Sequence, residues 1–195
     1  MTDIFSREPL VLSKAEFPDR LLTPWLEIAS TTLPGVHPGR LVEWSQARCA
    51  LEVLFDSLEL PTPRGKSFIG HQKILGIPDW FFSLSHTKEY AGAWAIPQKL
   101  ALGMGFDIEL KTREISEEIF KRMHHPDDFN MGLVSHWAVK EAVYKSLPVE
   151  IQEKVWLNSI KVKRGTFEIR GFPVRGEWKI FPHDKLIVAC AARLA

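Results

Sequence analysis

A stretch of helical periodicity followed by several short strand-like runs occurs twice along this chain, and that order constrains the fold more than any other feature. From Arg40 to about Leu60, Leu41, Trp44, Leu51, Leu54, Phe55 and Leu58 recur at helical spacing, with Glu43, Arg48, Glu52 and Asp56 between them. Pro61 and Pro63 end that helix. A loop carrying Arg64, Gly65 and Lys66 leads into three strand-like runs at 80–85, 90–96 and 101–110. Thr112 is the expected N-cap of a second helix that presents Ile115, Ile119 and Met123 on one face and closes at His124-His125-Pro126. A third helix is expected over about 134–147, stopped by Pro148. Strands follow at 159–162, at 166–180 with a break among the Gly and Pro residues of 171–176, and at 186–192. Helix, strands, helices, strands is the order of an α+β fold with antiparallel sheets, not of a doubly wound parallel sheet. The five prolines within residues 1–39 argue against long helices there.

The bulk properties exclude several classes of partner. The chain has 195 residues and a net charge of +1, so no global field draws it to nucleic acid or to an anionic membrane. No run reaches the roughly 18 uninterrupted apolar residues of a membrane helix. The first residues carry Asp3 and Glu8 and lack the layout of a secretory signal. Cys49 and Cys190 sit in apolar periodic segments without metal-ligand spacing, so both read as buried free thiols. A reduced, cytoplasmic protein is the expectation.

Three short segments can carry chemistry. In Gly105-Phe106-Asp107-Ile108-Glu109, a strand would present Asp107 and Glu109 on one face and send Ile108 into an apolar layer. Two carboxylates held close repel, and a hard divalent cation relieves that repulsion. Alternation on a solvated sheet face gives the same pattern and, taken alone, is its commoner source. On the helix of Trp137 to Lys145, Trp137, Glu141, Tyr144 and Lys145 cluster on one side with Lys140 at the margin. A carboxylate and an ammonium one turn apart can hold a metal and a phosphate oxygen together; they can also be an ordinary surface pair. In Ser85-His86-Thr87, His86 stands where a strand turns, placed either to donate to a phosphate or to bond backbone. Gly103 and Gly105 allow another backbone to approach. His124, His125 and His136 lack the spacing of a zinc site, and neither a P-loop nor a dinucleotide fingerprint is present.

Ser-His, then Gly-x-Asp-x-Glu, then Trp-x-x-Lys-Glu-Ala-x-x-Lys, in that order, resembles the 4'-phosphopantetheinyl transferase superfamily. The segment Ile119 to Phe129 is similar to the family's link between the last two motifs, and a looser likeness runs from Arg40 to the C-terminal strand. Length and the mid-chain place of Asp107 fit the longer, single-chain class. That resemblance implies two similar halves, 1–102 and 103–195, forming an intramolecular pseudo-dimer with the active site between them, and a monomer in solution. It implies Mg²⁺ held by Asp107, Glu109 and Glu141, with Glu141 the candidate to take the serine proton. It implies coenzyme A phosphates on Ser85, His86, Lys140 and Lys145, and weaker assignments of Arg48, Lys66 and Lys73 to its 3'-phosphate or adenine. The implied reaction moves the 4'-phosphopantetheine arm of coenzyme A to a serine of an acyl or peptidyl carrier protein, as in fatty acid or polyketide biosynthesis, releasing 3',5'-ADP. Lys140 follows Asp107 by only 33 positions, a short connection for that class, and in the family this region helps receive the carrier. The alternative reading is a degenerate relative that binds coenzyme A or a carrier without transfer; a metal-dependent phosphohydrolase is a third.

Overall fold

The computed structural model describes residues 3–69 and 72–194. Strand β1 (Leu10–Ser13) leads to helix α1 (Asp19–Thr32) and helix α2 (Pro38–Ser57). A small hairpin, β2 (Phe68–Ile69) and β3 (Lys73–Ile74), precedes three longer strands: β4 (Trp80–His86), β5 (Tyr90–Pro97) and β6 (Gly103–Leu110). Three helices follow, α3 (Glu117–Met123), α4 (Leu133–Ser146) and the single turn α5 (Val149–Gln152). The chain ends in β7 (Ile160–Lys163), β8 (Thr166–Ile169), β9 (Arg175–Phe181) and β10 (Leu186–Leu194). The fold is α+β, with an antiparallel three-stranded sheet β1-β5-β4 and an antiparallel five-stranded sheet β6-β10-β9-β8-β7. Among the described residues no helix is long and apolar enough to cross a membrane.

The period-two rule of strands explains how the layers assemble. In β5, Tyr90, Trp94 and Ile96 join Met104, Phe106 and Ile108 of β6 and Val188 and Cys190 of β10 in one buried cluster shared by both sheets. The opposite residues of β5, Ala91, Ala93 and Ala95, face Leu51 and Phe55 of α2. On the second sheet, Ala189 and Ala191 face Ala138, Val139 and Val143 of α4. Because Met104, Phe106 and Ile108 point into the shared core, Gly103, Gly105, Asp107 and Glu109 point toward α4. Both cysteines are buried and free.

Two expectations fail. The proline-rich beginning does form a long helix: α1 runs fourteen residues with Pro24 inside it. Pro24 removes one backbone donor, but Leu21, Leu22, Trp25 and Ile28 pack on the cluster that includes α2, and Trp25 Nε1 donates to Glu52 Oε2 at 2.8 Å. Tertiary burial outweighs the missing bond. Thr112 does not cap α3; Ser116 does, its Oγ accepting from the Ile119 amide at 3.3 Å. Glu117 and Glu118 follow it in the first turn, where the helix dipole favours negative charge.

Candidate active site

Helix α4 lies directly on strand β6 because glycines leave room for it. A Cβ on Gly105 would sit 1.9 Å from the Ala142 carbonyl oxygen, and one on Gly103 would sit 2.5 Å from that of Ser146. Only a residue without a side chain permits this approach. The contact sets Glu141 and Lys145 of α4 beside the face of β6 that carries Asp107 and Glu109.

Asp107 is buried and is the hub. Its Oδ1 accepts from Ser85 Oγ at 2.7 Å and from Lys145 Nζ at 2.7 Å. Lys145 Nζ also donates to the Phe106 carbonyl at 3.2 Å. The other oxygen, Oδ2, is buried without a hydrogen-bond partner. An orphaned carboxylate oxygen costs desolvation energy unless something binds it. Glu109 accepts from Trp137 Nε1 at 2.8 Å and pairs with Arg113. Burial and the neighbouring Asp107 charge push its carboxyl up to about 7. Glu141 is raised by the same two causes, burial first, with Lys145 and Arg113 opposing. Two carboxyls raised by burial and by the Asp107 charge, beside a third carboxylate with a free buried oxygen, form a donor set suited to a hard divalent cation.

A cleft of about 160 Å³ opens beside this cluster, walled by Trp44 and Arg48 of α2, Phe68, Lys73, His86 and Lys145. The Arg48 guanidinium stacks 3.3 Å over the Trp44 ring, and its Nη1 donates to the Trp44 carbonyl at 3.2 Å. Burial lowers its pKa to about 10, and its Nε is buried without an acceptor. His86 Nδ1 stands 3.7 Å from Glu43 Oε2. Burial, with Lys145 and Arg40 adding to it, lowers the His86 pKa despite Glu43. Four basic side chains and two aromatic faces around one cleft suit an anion attached to a flat ring. Glu141 lines a separate groove of about 350 Å³ with Tyr144, Gln152, Glu153, Val155, Leu157 and Trp156, which is 75% exposed.

Of the residues singled out in the sequence, Asp107, Glu109, Glu141, Lys145, Ser85, His86, Arg48 and Lys73 come together here. Two do not. Lys66 is half-buried, is not among the walls of the cleft, and directs Nζ toward Gly76. Lys140 is fully buried away from the cluster, bound to Asp128 Oδ2 at 2.7 Å and to the carbonyls of Met123 and Leu157. Burial lowers its pKa even though Asp128 holds the charged form. Lys140 therefore ties α4 to the chain around Asp128 instead of reaching a ligand at this site. Sequence reasoning missed Trp44, Phe68, Arg113 and the Tyr144–Trp156 groove, whose residues are ordinary until the fold assembles them.

A second cluster brings ligand atoms of His124, Asp128 and His136 within 4.8 Å of one another, despite spacing that did not suggest a zinc site. Asp128 is already engaged there. Lys140 and the His125 amide bond Oδ2, the Val162 amide bonds Oδ1, and His136 Nε2 lies 2.9 Å from Oδ2. Burial works to raise its pKa, but these partners outweigh it and hold the group well below the usual carboxylate range.

No protein-family model matches the chain, and no curated protein matches it. What the site can do follows from its own geometry.

Proposed function

We propose that this protein transfers the 4'-phosphopantetheine arm of coenzyme A to a serine of a carrier protein, as members of the 4'-phosphopantetheinyl transferase superfamily do. One observation carries the reading: the buried, half-satisfied Asp107 pairs with Lys145, which walls the basic, aromatic cleft, and its charge acts on Glu109 and on Glu141, which lines the second groove. Coenzyme A has that layout, a phosphorylated nucleoside and a chain-like arm joined by a pyrophosphate. Its adenosine end suits Trp44, Phe68, Arg48 and Lys73, and its arm suits the groove that Glu141, Tyr144 and Trp156 line. In this reading the two sheet-and-helix units are the halves of an intramolecular pseudo-dimer, and the site sits on their seam.

In the reaction, the acceptor serine oxygen attacks the phosphorus that bears the pantetheine. The bond from that phosphorus to the bridging oxygen breaks, and 3',5'-ADP leaves with the electron pair. The serine proton goes to Glu141, whose proton affinity burial and the neighbouring Asp107 charge raise above the ordinary carboxylate value. Asp107, Glu109 and Glu141 would hold Mg²⁺, which supplies positive charge beside the pyrophosphate when bound. Lys145 leaves its pairing with Asp107 to meet the charge that gathers on the departing phosphate, and His86 and Arg48 hold the phosphates in place.

The test is mass spectrometry of a panel of apo carrier proteins incubated with coenzyme A, Mg²⁺ and this protein. A carrier that gains one phosphopantetheine arm supports transfer. Coenzyme A binding without any mass gain refutes it in favour of a non-catalytic binder, and release of inorganic phosphate refutes it in favour of a phosphohydrolase.

A further inference from the structure

Strand β6 is the outer strand of its sheet, so the amides along its free edge need partners from elsewhere. They find side chains. The Phe106 amide donates to Ser83 Oγ at 3.0 Å, and the Met104 amide donates to Gln72 Oε1 at 3.2 Å. Gln72 does more with its other end. Its Nε2 donates to the Lys145 carbonyl at 2.8 Å and to the Leu147 carbonyl at 2.9 Å. Lys145 lies in the last turn of α4, where no further helical residue supplies an N–H, and Leu147 is the extended residue that caps the helix. The Gln72 backbone carbonyl accepts from the Phe82 amide of β4 at 2.9 Å.

One residue therefore joins three elements, and each carries part of the site: β4 with Ser85 and His86, β6 with Asp107 and Glu109, α4 with Glu141 and Lys145. The contact is also selective about side chain. It needs an acceptor toward β6 and two donors toward α4 at one terminus, a combination an amide supplies and a carboxylate does not. Gly103, where a Cβ would meet Gln72 Oε1 at 2.7 Å, leaves the space that the amide fills.

We infer that Gln72 is a positioning residue: its amide sets the spacing between the end of α4 and β6, and so holds Lys145 and the carboxylate cluster in register. It touches no substrate; it acts through Lys145 and through the Glu141–Asp107 separation. The inference rests on the proposed transfer for its kinetic arm and on the proposed Mg²⁺ site for its calorimetric arm.

The deciding variant is Gln72→Met, which fills similar volume without hydrogen bonds; Gln72→Glu, which turns a carboxylate toward two carbonyls, is its companion. With coenzyme A absent, Mg²⁺ binding to Gln72→Met, measured by calorimetry, should weaken severalfold. In the transfer assay kcat should fall by about ten- to a hundredfold, the effect of small misplacements of a charged group, with KM for coenzyme A little changed. Adding Gln72→Met to Lys145→Met should lower kcat by less than Gln72→Met alone lowers it in the parent, since Gln72 acts in part through Lys145. A Gln72→Met protein with parental Mg²⁺ affinity and parental kcat would overturn the inference, leaving Gln72 as filler. Losses that multiply independently in the double variant would overturn it too. An inactive parent would refute the transfer reading instead, and the calorimetric arm would still judge Gln72.

Discussion

Glu109→Gln should make the metal-free protein more stable at pH 8, although it alters a residue at the centre of the site. The folded protein raises the Glu109 carboxyl from 4.5 to about 7, so it holds that proton more tightly than the unfolded chain does. Below about pH 4.5 the group is protonated in both states and exacts nothing. Stability is then lost as pH rises toward 7, and by pH 8 the ionised carboxylate carries the whole penalty. A displacement of that size corresponds to about 3 kcal/mol. Partial exposure screens it, and a glutamine leaves Arg113 without its ion pair, so a net gain of about 1–2 kcal/mol is expected. For a chain of this length that is a rise in Tm of about 3–6 °C. Thermal unfolding in a chelator, at pH 5 and at pH 8, measures it. The variant should gain on its parent at pH 8 and nearly match it at pH 5. Saturating Mg²⁺ should reverse the order if the proposed site binds it, because only the parent offers all three proposed carboxylate ligands. An equal difference at both pH values, or a less stable variant at pH 8, would show that Glu109 is not held against Asp107 as described.

Lys145→Met should lower kcat by about two to three orders of magnitude with KM for coenzyme A comparatively unchanged, and Lys145→Arg should recover only part; parental turnover in Lys145→Met would make it a surface lysine. Lys140→Met should destabilise the fold by about 3–5 kcal/mol in urea titration, because it strands Asp128 in a buried position. A normally stable Lys140→Met protein that has lost coenzyme A affinity would put that lysine back at the ligand. Gly105→Ala should cost about 1–3 kcal/mol and weaken Mg²⁺ binding together, since its Cβ would meet the Ala142 carbonyl oxygen at 1.9 Å; unchanged Mg²⁺ affinity would mean that the α4–β6 contact does not set the cluster.

Much of the candidate site's arrangement was legible in the chain because its residues are local to regular elements. Period two places Asp107 and Glu109 on one face of β6, and period 3.6 places Glu141 and Lys145 on one face of α4. Lys140 shows the same rule applied too loosely. Five residues turn an α-helix through about 140° beyond a full circle, so Lys140 and Lys145 could not share a site unless the helix were free on both sides. It is packed instead, and Lys140 meets Asp128.

The amino-acid sequence by itself determined the α+β order, the longer strands, the α2 and α4 helices and the carboxylate pattern, because periodicity, prolines and glycines act over a few residues. It did not determine that α1 would form across Pro24, that Ser116 would cap α3, or that β1 would pair with β5. Nor did it join Trp44, Phe68 and Arg48 to His86 in one cleft, or bring Gln72 across to the end of α4. Those outcomes depend on surfaces that exist only after folding: an apolar helix face with somewhere to be buried, and a free strand edge whose amides take side-chain partners from distant segments. Local rules fix which groups a segment offers; tertiary packing selects which of them meet, because burial and hydrogen-bond satisfaction are settled between segments.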